Sequence, residues 1–277
     1  MRRLLNLLIL AVLIWSAYWV WGAQKNKTRM TEWILEQREQ GWVIKFEALD
    51  QMGYPNRFDI TLRKPSIRTP DGIIAWQGEF LQSLRLSYKP NHVIIVFPRT
   101  QSFELGKKVF YISNKKARAS VITGAFQAHR IILEIAGLEV ALEDYKIGFS
   151  KGQLAILREA NQHKFDIKLK NPKSDHNTAL NNLTISGDIE MPAAPNSFPI
   201  PIINGIDARF TNLKVVIDGK TIISHGAITV SPDLEFGGQI FTSLNILTSS
   251  GSQDSHVDHT QIEDIATPFG IRVSRAP

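Results

Sequence analysis

The chain has 277 residues, a net charge of +6, a pI near 9.5, 43% hydrophobic residues and no cysteine. The missing thiols exclude disulfides, cysteine zinc sites, cysteine nucleophiles and iron–sulfur clusters. The basic excess is local. Arg2, Arg3, Lys25, Lys27 and Arg29 fall in a stretch without acids, and the remaining 27 basic residues face 26 acidic ones, so no basic footprint for nucleic acid exists.

The first predicted element is a transmembrane helix. Leu4 to Trp21 is an apolar run broken only by Asn6 and Ser16, and its length at helical rise is about 27 Å, one hydrocarbon layer. Trp15, Tyr18, Trp19 and Trp21 close the run with rings that favour the membrane–water boundary. A cleaved secretory signal is the competing reading. It requires small residues at two positions before the cut, and Ala17 and Ala23 each lie two residues from a tryptophan. The reading is therefore an anchor over 1–24. Basic residues flank both ends, so charge leaves the orientation open, while the export default for a short basic N-terminus places the bulk of the chain outside the cytoplasm.

A short amphipathic helix is predicted over 25–40, with Met30, Trp33, Ile34 and Gln37 at helical spacing and Gly41 as its stop. Met30, Trp33 and Ile34 are expected to cap the body of the fold. Beyond Gly41 the apolar period is two. Ile44/Phe46/Ala48, Phe58/Ile60/Leu62, Leu84/Leu86/Tyr88, Phe165/Ile167/Leu169 and Leu183/Ile185/Ile189 each alternate with polar neighbours, as strands with one apolar face do. Asp71-Gly72, Lys89-Pro90-Asn91, Asp218-Gly219 and Pro232-Asp233 fit tight turns. The apolar parity flips across Gly137, which predicts a hairpin turn or a bulge there. Lys107, Lys108, Lys115, Lys116 and Arg118 surround Val109 to Ile112, as lysines protecting an edge strand do; contact with anionic lipid is the other reading.

The expected fold is mainly β: an antiparallel meander forming a curved sheet or a sandwich, after one transmembrane helix and a short amphipathic helix. Met191 to Pro201 carries four prolines and cannot be central strand. It separates a first β-rich part, 25–190, from a second, 191–248, which continues the same body. Residues 249–277 read as a loosely ordered tail.

Chemistry is sparse. Gly148-Phe149-Ser150-Lys151-Gly152 matches the nucleophile-elbow pattern, with His163, His176 and His225 downstream. That mechanism needs a helix after the serine, and the alternation from Gln153 to Arg158 predicts a strand instead. His256 and His259 are spaced three apart in the polar tail, near Asp254 and Asp258, without the further ligands that a metal site requires. No phosphate-cradling glycine loop occurs. No cofactor, metal or catalytic residue is therefore assigned.

One stretch is more specific. Trp76 to Pro98 reads as strand, turn and strand, with Pro90-Asn91 in the turn, His92 able to hydrogen-bond across it, and Val93 to Phe97 buried. Gly53-Tyr54-Pro55 followed by Phe58-Asp59, then Trp76, Ser87-Tyr88, Pro90-Asn91-His92-Val93-Ile94 and Pro98, resembles the bacterial domain-of-unknown-function family 2125. The resemblance implies a protein held at the inner membrane of a two-membraned bacterium and facing the periplasm; it transfers no catalytic residue. Asn212 to Gly219 and Gly226 to Ile240 look like the strand–turn–strand units of AsmA-like periplasmic proteins, which are associated with envelope assembly and lipid traffic. Two functions follow as expectations. One is a non-enzymatic, membrane-anchored periplasmic protein that binds lipid or another envelope component, or acts as an envelope scaffold. The other is a periplasmic serine hydrolase using Ser150.

Overall fold

The computed structural model describes residues 1–124, 128–142, 145–159, 162–174, 181–190, 206–217, 220–230, 236–243 and 272–275. The proline-rich segment, the turns at Asp218-Gly219 and Pro232-Asp233, and the histidine pair of the tail lie outside them. The chain divides into two compact units, Met1–Thr123 and Gly124–Pro277.

In the first unit, α1 runs unbroken from Arg2 to Glu39. The anchor and the predicted amphipathic helix are therefore one element, because the interval holds no proline and only one glycine, Gly22. Gly41, at φ +93°, ends it. Its N–H donates to Arg38 O and the Trp42 N–H to Gln37 O, the paired closure that a left-handed glycine permits.

Ten strands follow: β1 (Val43–Lys45), β2 (Ala48–Met52), β3 (Asp59–Arg63), β4 (Ser66–Arg68), β5 (Ile74–Gly78), β6 (Phe80–Arg85), β7 (His92–Phe97), β8 (Thr100–Leu105), β9 (Lys108–Ser113) and β10 (Lys116–Thr123). They are the halves of five long strands. Antiparallel ladders join β2–β3–β6–β7–β10 on one side of the breaks and β1–β4–β5–β8–β9 on the other. The meander is thus creased along a single line. Lys64 sits at φ +46° immediately before Pro65, and Pro65 and Pro98, which cannot donate to a ladder, are fully buried at the breaks of two strands. Asn114, also buried, donates from Nδ2 to Pro98 O at 2.8 Å and to Arg99 O at 3.3 Å. Backbone bonds from Glu47 to Arg63, Lys64 to Glu79 and Gly78 to Pro65 carry the pairing across the crease.

The core straddles this crease. Ile34 of α1 packs with Ile44 and Leu62, surrounded by Met30, Trp42, Phe46, Leu49, Ile67 and Leu81. Trp33 is a correction: it is 44% exposed, because it projects about 100° around the helix from Ile34. Arg38 donates to Ile44 O at 3.0 and 2.6 Å and lies over the Phe46 ring, tying the helix end to β1. Two strand expectations also change. β6 ends at Arg85, leaving Leu86 and Tyr88 in the connection to β7, and the apolar run Val93 to Phe97 is half-buried. Lys107, Lys108, Lys115, Lys116 and Arg118 are exposed at the two ends of β9.

The second unit contains β11 (Ala128–Leu142), β12 (Tyr145–Glu159), β13 (Gln162–Lys170), β14 (Lys173–Ser174), β15 (Asn182–Glu190), β16 (Ile206–Ile217), β17 (Lys220–Val230), β18 (Phe236–Ser243) and β19 (Arg272–Arg275). Consecutive antiparallel pairs run β11–β12–β13–β15–β16–β17–β18, and β19 adds parallel to β18. β15 and β16 are neighbours, although the proline-rich segment separates them in sequence. At Gly137 there is neither hairpin turn nor inserted residue. β11 passes straight through it at φ +59° with the same register to β12 on both sides, and the apolar parity of β12 changes opposite. One ladder row reads Leu133, Leu154, Ile167, Ile185 and Val215 across five strands. Every one of those side chains is only half-buried, and among the described residues of this unit no large apolar side chain is buried. Within this unit the expected sheet-or-sandwich alternative resolves to an open sheet.

Replacing Ile34 by Ala is expected to cost about 2–5 kcal/mol, and Trp33 by Ala only about 0.5 kcal/mol. Unfolding of the full chain in detergent, followed by circular dichroism, checks the contrast; a larger loss at Trp33 would reverse the assigned helix face.

Candidate functional site

The stripe of α1 that packs on the sheet continues toward the N-terminus through Asn26, Ala23, Gly22 and Trp19 to Trp15, at the helical spacing that keeps side chains on one face. Against it lies the β2–β3 loop, residues 53–58. Trp15 Nε1 donates to Pro55 O at 2.9 Å and Trp19 Nε1 to Arg57 O at 2.8 Å, while Ser16 Oγ and Tyr54 Oη share a 2.9 Å hydrogen bond. The Tyr54 ring meets Trp19 edge-on at 5.4 Å. Phe58 lies so close over Gly22 that any Cβ there would collide with its ring. The loop holds its own shape: Gly53 adopts φ +107°, Tyr54–Pro55 is cis, and the Arg57 N–H donates to Gly53 O at 2.8 Å.

The β6–β7 connection lies beside this loop. The Ser87 N–H donates to Asn56 O at 3.0 Å, and Arg57 bridges Leu86. Tyr88 and Pro90 occupy the turn itself, and Asn91 O accepts from the Thr123 N–H at 2.9 Å, bringing in the end of β10. Tyr54, Pro55, Tyr88, Pro90 and Asn91 therefore gather at one end of the sheet, next to Trp15 and Trp19. Leu4 and Trp21 are exposed elsewhere on α1, Trp21 beneath the Lys25 ammonium at 4.9 Å.

Polar groups fasten the same end. Arg57 pairs with Asp59 at 2.7 Å, and the Asp59 side chain is 4% exposed. Burial pushes the Asp59 carboxyl above the ordinary 3.8, opposed by the Arg57 charge. Arg85 donates to Asn26 Oδ1; burial, then the neighbouring Arg29 charge, lowers its affinity for its proton. Sequence reasoning did not single out Asn26, Arg85 or Asp59 as a group. The available signal was an asparagine within the packing stripe of α1.

The remaining sequence-selected residues lie apart. Trp76 and Pro98 belong to the crease: Trp76 Nε1 donates to Gln101 Oε1 at 2.7 Å, its ring meets Phe97 at 6.4 Å, and Gly78 is held between Trp76 and Pro98. The His92 ring bonds Ser120 Oγ at 2.8 Å from β7 to β10, while its backbone N–H donates to Lys89 O across the turn at 3.2 Å. Ser150 lies within β12 with no helix after it. Its Oγ donates to Lys170 O at 3.0 Å and accepts from Asn171 Nδ2 at 3.1 Å. His163 pairs with Arg158, eight residues along β12 from Ser150, or about 27 Å. His225 lies four strands away in β17, and His176 is outside the described residues. No elbow is formed, and among the described residues no three His, Asp or Glu side chains group as metal ligands.

A protein-family model described as "Uncharacterized protein conserved in bacteria (DUF2125)" matches residues 19–209. The chain belongs to this family. No curated protein and no solved structure matches it. The DUF2125 region opens at Trp19, the residue bonded to Arg57 O, and takes in that contact with the loop, the whole first sheet and the second through the first four residues of β16. α1 is long and apolar enough to cross a membrane.

Trp19→Phe keeps an aromatic ring but removes the donor to Arg57 O, and should cost about 0.5–1.5 kcal/mol; thermal unfolding of the full chain in bilayer nanodiscs measures it, and an unchanged midpoint would show that the bond contributes nothing. A second expectation concerns pH. Burial, then Arg158, holds His163 below its ordinary 6.5, so the stability it contributes is present above 6.5 and lost as pH falls through the lower folded value. His163→Gln should therefore lose less stability than the parent on acidification, as read by melting on either side of that range.

Proposed function

We propose that this protein is a single-pass protein of the bacterial inner membrane whose β units face the periplasm and work by binding, not catalysis. The ligand is a lipid acyl chain or another apolar envelope component, taken on the open face of the second sheet. The observation that carries this reading is the row Leu133–Leu154–Ile167–Ile185–Val215, continuous over five strands and only half-buried. The part of such a face left in water costs free energy in proportion to its area, roughly 25 cal/mol per Å², and contiguous apolar surface that is incompletely covered marks interaction sites. The flanking rows agree: Ile131, Ile156 and Phe165 on one side, and Ile135, Gly152, Leu169 and Leu183 on the other. Gly152 leaves room in its row for the Phe149 ring, which a Cβ would strike. The opposite face carries Asp166 and Lys168, paired at 2.6 Å. The anchor supports the location, since it would tether the chain to a bilayer.

A photoreactive phenylalanine analogue at Ile167, in the full chain in native membranes, should yield lipid adducts on irradiation, and one at Lys168 should not. Adducts to protein instead of lipid would turn the reading toward a scaffold. Equal labelling at the two positions, or none, would sink it.

A further inference from the structure

We propose that the end of the first sheet formed by the β2–β3 loop and the β6–β7 turn enters the membrane, passing the lipid headgroups to the outer edge of the hydrocarbon, and gives the protein a second membrane contact beside its helix. This rests on the reading of α1 as a membrane anchor. Trp15, Ser16 and Trp19 belong to the apolar run, yet their polar atoms are bonded to Pro55, Tyr54 and Arg57. Trp15 lies six residues before Trp21, where the run ends, which places it about 9 Å deeper along the axis. If the run fills the hydrocarbon layer, the loop cannot stay in bulk water; its partner residues draw it to the depth of Trp15 and Trp19.

Non-helical backbone at that depth must have its polar groups satisfied. Much of the loop is built that way. Pro55 brings no N–H, and its carbonyl takes the Trp15 indole. Asn56 O takes the Ser87 N–H, Arg57 O takes the Trp19 indole, and the Arg57 N–H closes onto Gly53 O. Around these bonded groups the outward side chains suit an interface. Met52, Tyr54 and Tyr88 are 65%, 54% and 63% exposed. Tyrosines favour the boundary between lipid and water. The half-exposed Arg57 and the exposed Lys89 beside them can reach phosphates while their stems stay in apolar surroundings.

The opposite end of the sheet lies past the C-terminal end of α1, away from its apolar run. There the Gly106 N–H bonds Ile73 O, joining the β8–β9 and β4–β5 turns, and Gly41 past the end of α1 abuts Pro70.

The absence of native cysteine allows single-site probes in the full chain. Met52→Cys, Tyr88→Cys and Lys107→Cys, each labelled with an environment-sensitive fluorophore, are reconstituted into phosphatidylethanolamine and phosphatidylglycerol vesicles. Probes at 52 and 88 should emit at shorter wavelength than at 107 and be quenched by lipids spin-labelled near the headgroup, with 107 unquenched. Melting curves matching the unlabelled parent show that each variant is folded, and Met52 and Tyr88 serve as independent reporters of the same end. Alkaline carbonate extraction separates the two levels of the argument. Release of the chain from vesicles overturns the anchor reading itself. Retention with all three probes in water overturns only the second contact.

Discussion

The first unit depends on one line of side chains along α1. From Trp15 to Gln37 the packed positions follow the helical repeat for about 33 Å, and the sheet meets them first with a loop, then with polar groups, then with its apolar core. A single antiparallel sheet with one apolar face has too little to bury against itself. Here Ile34 supplies what the sheet lacks, and it does so over the crease, where Ile44 and Leu62 come from opposite halves of the meander. The helix covers little beyond that strip, so β7 and β8 remain half-buried throughout most of their length.

The second unit solves the same shortage differently. Its strands are long, up to 15 residues in β11 and β12, and ladder pairing runs unbroken through most of the unit. Left-handed residues occur within and between these strands. Gly137, at φ +59°, sits inside β11 without a change of register, and Asn171, at φ +48° before Pro172, stands between β13 and β14. The same device, a left-handed residue followed by proline, appears at Lys64-Pro65 in the first unit. Pairing with β12 continues on both sides of Asn171.

Much of this was legible in the sequence. Alternation located most strands, and the resemblance carried by Gly53-Tyr54-Pro55 and Ser87 to Pro98 named the family that the match over residues 19–209 shows. What escaped was what lies between elements. Two helices were expected because the composition changes at Lys25, yet backbone geometry answers to proline and glycine, and nothing there breaks a helix. Val93 to Phe97 looked like buried core because an apolar run carries no sign of how many layers will cover it. The indole bonds to Pro55 and Arg57 were invisible for a plainer reason. Tryptophans near the end of a membrane span have an ordinary explanation in the lipid boundary, and only the fold shows that two of them also hold a loop 38 to 40 residues away.

The continuity of α1 has one more consequence. A sheet on a flexible stalk can turn and tilt freely about it. A sheet clasped along its helix cannot, and its offset and heading along that helix are set by counting. Each residue between Trp19 and Ile34 adds about 1.5 Å and about 100°, so the number of residues in that interval carries information of its own, whatever side chains fill it.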